Sequence, residues 1–156
     1  MIFLARQLRD LGPEKFHQLC FHILKAKYPE ADVKYVEGSG GDKGLDMFAG
    51  LLSDGPVIWQ CKCFNGKVHR AQKRRIKDSL ITALKNFEPK RWILCIPANL
   101  GTSGQLWFQG LQKEYADRVV IQLSKPASVR IVLETRAPVE LFFHRFTPPP
   151  LEKTAR

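Results

Sequence analysis

Residues 45–64 read Leu45-Asp46-Met47-Phe48-Ala49-Gly50-Leu51-Leu52-Ser53-Asp54-Gly55-Pro56-Val57-Ile58-Trp59-Gln60-Cys61-Lys62-Cys63-Phe64. Two apolar, β-favouring runs, 45–52 and 56–64, flank Ser53-Asp54-Gly55. A three-residue loop with glycine third is a type I turn closed by a left-handed glycine, which predicts a β-hairpin. That loop would pair Leu52 with Pro56, and so set Asp46 opposite Lys62 and Phe48 opposite Gln60. Strand side chains alternate, so Asp46, Gln60 and Lys62 would share one face of the sheet. A slip of one residue would move them apart.

Upstream, Gly12-Pro13-Glu14 opens a helix, with proline at an early helical position and an acid in the first turn. Phe16, Leu19, Cys20, Ile23 and Leu24 recur at helical spacing up to Tyr28-Pro29. Val33–Val36 alternates and reads as a short strand, followed by the glycine-rich loop Gly38-Ser39-Gly40-Gly41-Asp42-Lys43-Gly44. Downstream, residues 68–87 read as a helix with an apolar stripe of Ile76, Leu80, Ala83, Leu84 and Phe87. Arg70, Lys73, Arg74 and Lys77 form a basic stripe about a quarter-turn away. Trp92–Ile96 is a compact strand. Residues 103–116 read as a helix capped by Thr102 or Ser103, with Leu106, Trp107, Gly110 and Leu111 facing inward. Val119–Leu123 is a further strand. Segments 127–135 and 138–146 read as short helices before Thr147-Pro148-Pro149-Pro150. This order predicts an α/β fold, a three-layer α/β/α sandwich with a mixed central sheet. The expected domain spans residues 1–146, and 147–156 would be a proline-rich linker or tail leading to a further domain.

The chain has 156 residues, enough for one domain with a real core, and a formal net charge of +10. No apolar run approaches the roughly 20 residues of a bilayer span, so no membrane partner is expected. Residues 1–61 carry 7 basic and 8 acidic side chains, residues 62–91 carry 10 and 2, and residues 92–156 carry 8 and 5. Most of the excess therefore begins at Lys62, which makes a polyanion the expected partner. Cys20, Cys61, Cys63 and Cys95 sit in apolar or strand-like surroundings, as buried free thiols of a reducing compartment, the cytoplasm, would. Cys61-Lys62-Cys63 is not a usual zinc knuckle, since no second ligand pair follows at short spacing.

An acid and a lysine on adjacent strands beside a basic helix suit phosphodiester hydrolysis. Mg²⁺ accepts one or two protein oxygens and leaves the rest of its shell to phosphate and water. Asp46 would be the metal ligand, with the Gln60 side chain and the Cys61 backbone carbonyl in further positions. Lys62 would orient the nucleophile and offset charge in the transition state. For an arbitrary hairpin, an Asp facing a Lys is more often a structural ion pair. The Gly-rich approach, the Gln offset and the basic helix together turn the balance towards catalysis. The glycine loop lacks the Gly-Lys-Ser/Thr ending of a P-loop and leads into a strand.

Gly44-Leu45-Asp46 followed by Gln60-Cys61-Lys62 resembles the PD-(D/E)XK restriction-endonuclease-like superfamily, specifically its Mrr-type branch with G-x-D and Q-x-K motifs. Gly40-Gly41-Asp42-Lys43-Gly44 resembles that branch's G-G-D-x-G approach, and the resemblance runs over residues 13–97. It implies a mixed four- or five-stranded sheet flanked by helices, and Mg²⁺-dependent DNA cleavage, with Mn²⁺ as a substitute ion. It assigns Asp46 as metal-binding, Gln60 as the variant metal-facing position and Lys62 as the catalytic lysine. Where family members often place a glutamate after the helix phenylalanine, this chain has His17. Glu14 and Glu37 are then candidates for a second carboxylate, and His17 for contact with a water or phosphate.

These readings predict a metal-dependent endonuclease of little sequence specificity, the effector domain of a prokaryotic antiviral defence or restriction protein. Double-stranded DNA would lie along Lys43, Lys67, Arg70, Lys73, Arg74 and Lys77. A homodimer or higher homo-oligomer is expected, since both strands are to be cut, as is a fused sensor or oligomerisation domain. The alternative is a catalytically silent nucleic-acid-binding domain of the same fold.

Overall fold

A computed structural model describes residues 10–36, 45–64, 67–97 and 100–124. Glu37, the glycine loop with Lys43, the helices expected over 127–135 and 138–146, and the tail 147–156 lie outside the described residues.

Helix α1, Pro13–Lys27, starts with proline in its first turn and Glu14 beside it, and carries Lys25 and Lys27 in its last turn. These charges complement the helix dipole at both ends. Its predicted stripe, Phe16, Leu19, Cys20, Ile23 and Leu24, is buried. A 3₁₀ turn, Pro29–Ala31, leads to β1 (Lys34–Tyr35), then β2 (Met47–Ala49) and β3 (Val57–Cys61). Helix α2 (Arg70–Phe87), β4 (Arg91–Cys95), α3 (Thr102–Glu114) and β5 (Val120–Ser124) follow. Helix α2 begins at Arg70, two residues later than the sequence suggests, because His69 caps it. The His69 N–H donates to Gln72 Oε1 at 2.8 Å, and the His69 side chain accepts from the Gln72 N–H.

The five strands form one sheet in the order β1-β2-β3-β4-β5. β1, β2 and β3 pair antiparallel, whereas β3, β4 and β5 pair parallel, so the sheet is mixed as expected. Helix α1 packs with Met47, Ala49, Trp59, Cys61 and Cys95 on one face. Helices α2 and α3 cover the other, against Ile58, Trp92, Leu94 and Ile121. The described residues thus form three layers, helix, sheet and helices. Among them no helix is long and apolar enough to cross a membrane.

The hairpin register differs from the prediction. Met47 pairs with Trp59, Phe48 with Ile58 and Ala49 with Val57. The strands part at Gly50, whose φ of 87° takes the chain out of the sheet, and residues 50–56 form the connection. Gly55 is left-handed as expected, at φ 54°, and the Asp54 N–H donates to the Leu51 carbonyl at 3.0 Å. Leu51 and Leu52 are therefore loop residues, not strand, and the register moves by two. An even shift keeps every side chain on its face. Continued by one residue, it sets Asp46 opposite Gln60, not Lys62.

Helix α3 meets expectation in part: Leu111 is buried and Trp107 packs against the core, but Leu106 and Gly110 do not face inward. Gly104, Phe108 and Leu111 are its buried residues, while Leu106 is 65% exposed and Gly110 exposed. A Cβ on Gly104 would lie 3.2 Å from Leu100 Cβ, so the small residue sets the close approach.

Candidate active site

In a parallel β-α-β unit, the strand's carboxyl end feeds the amino end of the next helix, and open α/β sheets bind ligands at that edge. β3 ends there at Cys61 and leads through Lys62 to α2, and β4 leads likewise to α3. Because β2 runs antiparallel to β3, its first residues, next to Asp46, come to the same edge.

Asp46 is clamped between two strands. Its carbonyl accepts from the Val36 N–H at 2.9 Å, which continues the β1–β2 ladder. Its carboxylate Oδ2 accepts from Gln60 Nε2 at 2.7 Å and from the Cys61 backbone N–H at 2.8 Å. Two donors on one oxygen fix the carboxylate's orientation. Gln60 is 4% exposed, and its Oε1 is a buried acceptor with no hydrogen-bond partner among the described residues. An unsatisfied buried acceptor costs roughly 1–3 kcal/mol, so an oxygen left in this state beside a carboxylate suits a cation. Carboxylate and amide oxygens form a hard donor set, which fits Mg²⁺, Mn²⁺ or Ca²⁺.

Lys62 lies one residue beyond β3, with its N–H donating to the Cys95 carbonyl at 2.9 Å. It is half-buried. Desolvation pushes its ammonium below the ordinary lysine value; Asp46 opposes that shift and the charge of Arg75 adds to it. Asp46 and Gln60 are thus in hydrogen-bond contact and Lys62 lies near enough to feel the Asp46 charge, with the Asp46–Gln60 contact replacing the predicted Asp46–Lys62 pairing.

The other predicted residues divide. Glu14 is exposed and His17 half-buried on α1, which covers the face bearing Cys61 and Cys95, the opposite face from Gln60. Lys67, Arg70 and Lys73 line a cavity of about 410 Å³ together with His69 and residues Leu100–Gly104. This cavity lies between the amino ends of α2 and α3. The cap of α2 is closed by His69. Among the described residues α3 has no side-chain cap, so its first N–H groups remain as donors. Lys73 Nζ sits 5.8 Å from the Trp107 ring centroid, and Arg74 is exposed on α2. Lys77 is held differently, donating to both Glu114 carboxylate oxygens at 3.0 and 3.1 Å.

Sequence reading missed three groups. Thr102 and Ser103 were expected only as caps but line the cavity; their position after a parallel strand was the available signal. Arg75 lies outside the basic stripe yet acts on Lys62. Cys20, Cys61 and Cys95 bring their sulfur atoms within 4.8 Å of one another, from three separate elements, with no local spacing to announce it.

Compared with known proteins, the chain matches no family model, no curated protein and no solved structure.

Proposed function

We propose that this chain is a metal-dependent endonuclease hydrolysing DNA phosphodiester bonds, built on a restriction-endonuclease-like α/β/α plan. The observation that carries the reading is the Asp46 carboxylate, fixed by Gln60 and the Cys61 N–H, with Lys62 two residues after Gln60 and an unsatisfied Gln60 oxygen beside it. Asp46 and Gln60 Oε1 would hold Mg²⁺, which when bound polarises a phosphoryl oxygen and acidifies a water. Lys62, lightly solvated and near Asp46, orients the attacking water and stabilises charge building on the phosphoryl oxygens. Lys67, Arg70, Lys73 and the open amino end of α3 hold neighbouring backbone phosphates, which positions the duplex without reading bases. The choice of DNA, a defence setting and a homo-oligomer rest on the motif resemblance.

Plasmid DNA incubated with wild type, Asp46→Ala and Lys62→Ala, with Mg²⁺ or EDTA, tests the reading. Mg²⁺-dependent nicking by wild type and its loss in both variants is the expected result. Nicking that persists in both variants removes the assigned site. Salt-dependent DNA binding by wild type without any nicking favours a silent binding domain instead.

A further inference from the structure

Cys20 of α1, Cys61 of β3 and Cys95 of β4 converge in the core, with exposures of 6%, 2% and 4%. Cys61 and Cys95 are neighbours across the parallel β3–β4 ladder, and Cys20 reaches them from the covering helix. A single buried thiol is a small hydrophobe and calls for no explanation. Three converging thiols differ, because they hydrogen-bond one another in preference to hydrocarbon. Cys20, Cys61 and the Ser124 hydroxyl all lie within hydrogen-bonding reach of the Cys95 thiol.

We propose that the Cys20–Cys61–Cys95 triad is a site for one thiophilic cation of the Zn²⁺ class, distinct from the oxygen-lined position at Asp46 and Gln60. Thiolates select soft and borderline cations, whereas oxygen sets select Mg²⁺ and its kin, so the two faces of β3 present donors of opposite character. Metal–sulfur bonds of about 2.3 Å place sulfurs roughly 3.8–4.0 Å apart in tetrahedral or trigonal geometry. The three Sγ atoms already lie within 4.8 Å, so closing on an ion needs shifts under about 1 Å. On binding, three S–H groups release their protons to solvent as three metal–sulfur bonds form, and no electrons are transferred. The ion enters during folding or local opening, so its binding energy becomes stability of the α1–β3–β4 joint.

The test uses the full reduced, metal-stripped chain. Zn²⁺ is titrated in competition with a chromophoric chelator, and Cd²⁺ by its sulfur-to-metal charge-transfer absorption. One ion per chain, a raised Tm, and affinity reduced roughly 100-fold in each of Cys20→Ser, Cys61→Ser and Cys95→Ser are expected. Cys63→Ser and Asp46→Ala retain full stoichiometry. A folded wild type that takes up neither ion at micromolar concentration overturns the proposal, as does binding lost in Cys63→Ser. Should a triad variant not fold, X-ray absorption on zinc-loaded wild type counts the ligands, and fewer than three sulfurs overturns the site. None of these readouts requires nuclease activity, so the metal-thiolate site and the nuclease reading fail independently.

Discussion

Gln60 donates to Asp46 Oδ2 through its amide nitrogen while its own carbonyl oxygen, buried in the sheet, meets no donor among the described residues. A glutamine that locks a carboxylate on one side and presents a bare oxygen on the other is a half-completed coordination shell. Gln60→Glu removes the N–H donor and sets two carboxylates side by side. The metal-free variant should lose about 1–3 kcal/mol of stability, and millimolar Mg²⁺ should recover most of it. Thermal unfolding with and without Mg²⁺ checks this, and a deficit indifferent to Mg²⁺ would show that the Gln60 oxygen does not face a cation.

Lys62 has a folded-state value below that of an unfolded lysine, because burial disfavours its charge. Its contribution to stability is therefore present above the ordinary lysine value and is lost as pH falls through the lowered one. At neutral pH the wild type carries a buried ammonium that Lys62→Met lacks. The variant should be more stable than wild type at pH 7, with the gap narrowing as pH rises towards 10.5. Chemical denaturation across that range measures it; a constant gap would mean that Lys62 titrates normally.

Cations lining the cavity and the cation tied to Glu114 should behave differently towards DNA. Arg70→Ala and Lys73→Ala should each lower the salt slope of log Kobs by about 0.9 for every phosphate the side chain neutralises. Lys77 is already engaged by Glu114. Lys77→Ala should change affinity less than about threefold and leave the slope alone. Fluorescence anisotropy at several salt concentrations separates the two classes, and equal slopes in all variants would dissolve the distinction.

Gly50 sits at φ 87°, and a Cβ added there would meet no heavy atom closer than 3.9 Å, so backbone conformation, not space, is what an alanine would violate. Gly50→Ala should cost about 1–2 kcal/mol. Leu51→Ser, next to it and 70% exposed, should stay within about 0.5 kcal/mol. Urea unfolding of the pair tests whether Gly50 sets the end of β2; equal losses would place the cause elsewhere.

Periodicity made much of the fold legible. The stripe of α2 is buried at Ile76, Leu80, Ala83 and Leu84, and alternation brought out the shared face on which Asp46 and Gln60 hydrogen-bond. Register was less legible, because Ser53-Asp54-Gly55 satisfies a short-turn rule while Gly50 had already left the sheet. The inward side of α3 was legible at Leu111 and Trp107 but not at Gly104 and Phe108. Gly104 is buried because it lacks a side chain, a property invisible to a search for large apolar residues. The thiol triad was beyond any local pattern, since its members lie on three elements brought together only by sheet pairing and by the packing of α1.

Asp46 is held by the peptide N–H of Cys61, not by its side chain. A main-chain donor survives every substitution except proline, so the sulfur at position 61 can be rewritten while the clamp on Asp46 keeps its chemistry. One residue thereby belongs to two separately mutable systems, and a designer or a lineage can revise the thiol side of the strand without surrendering the acidic one.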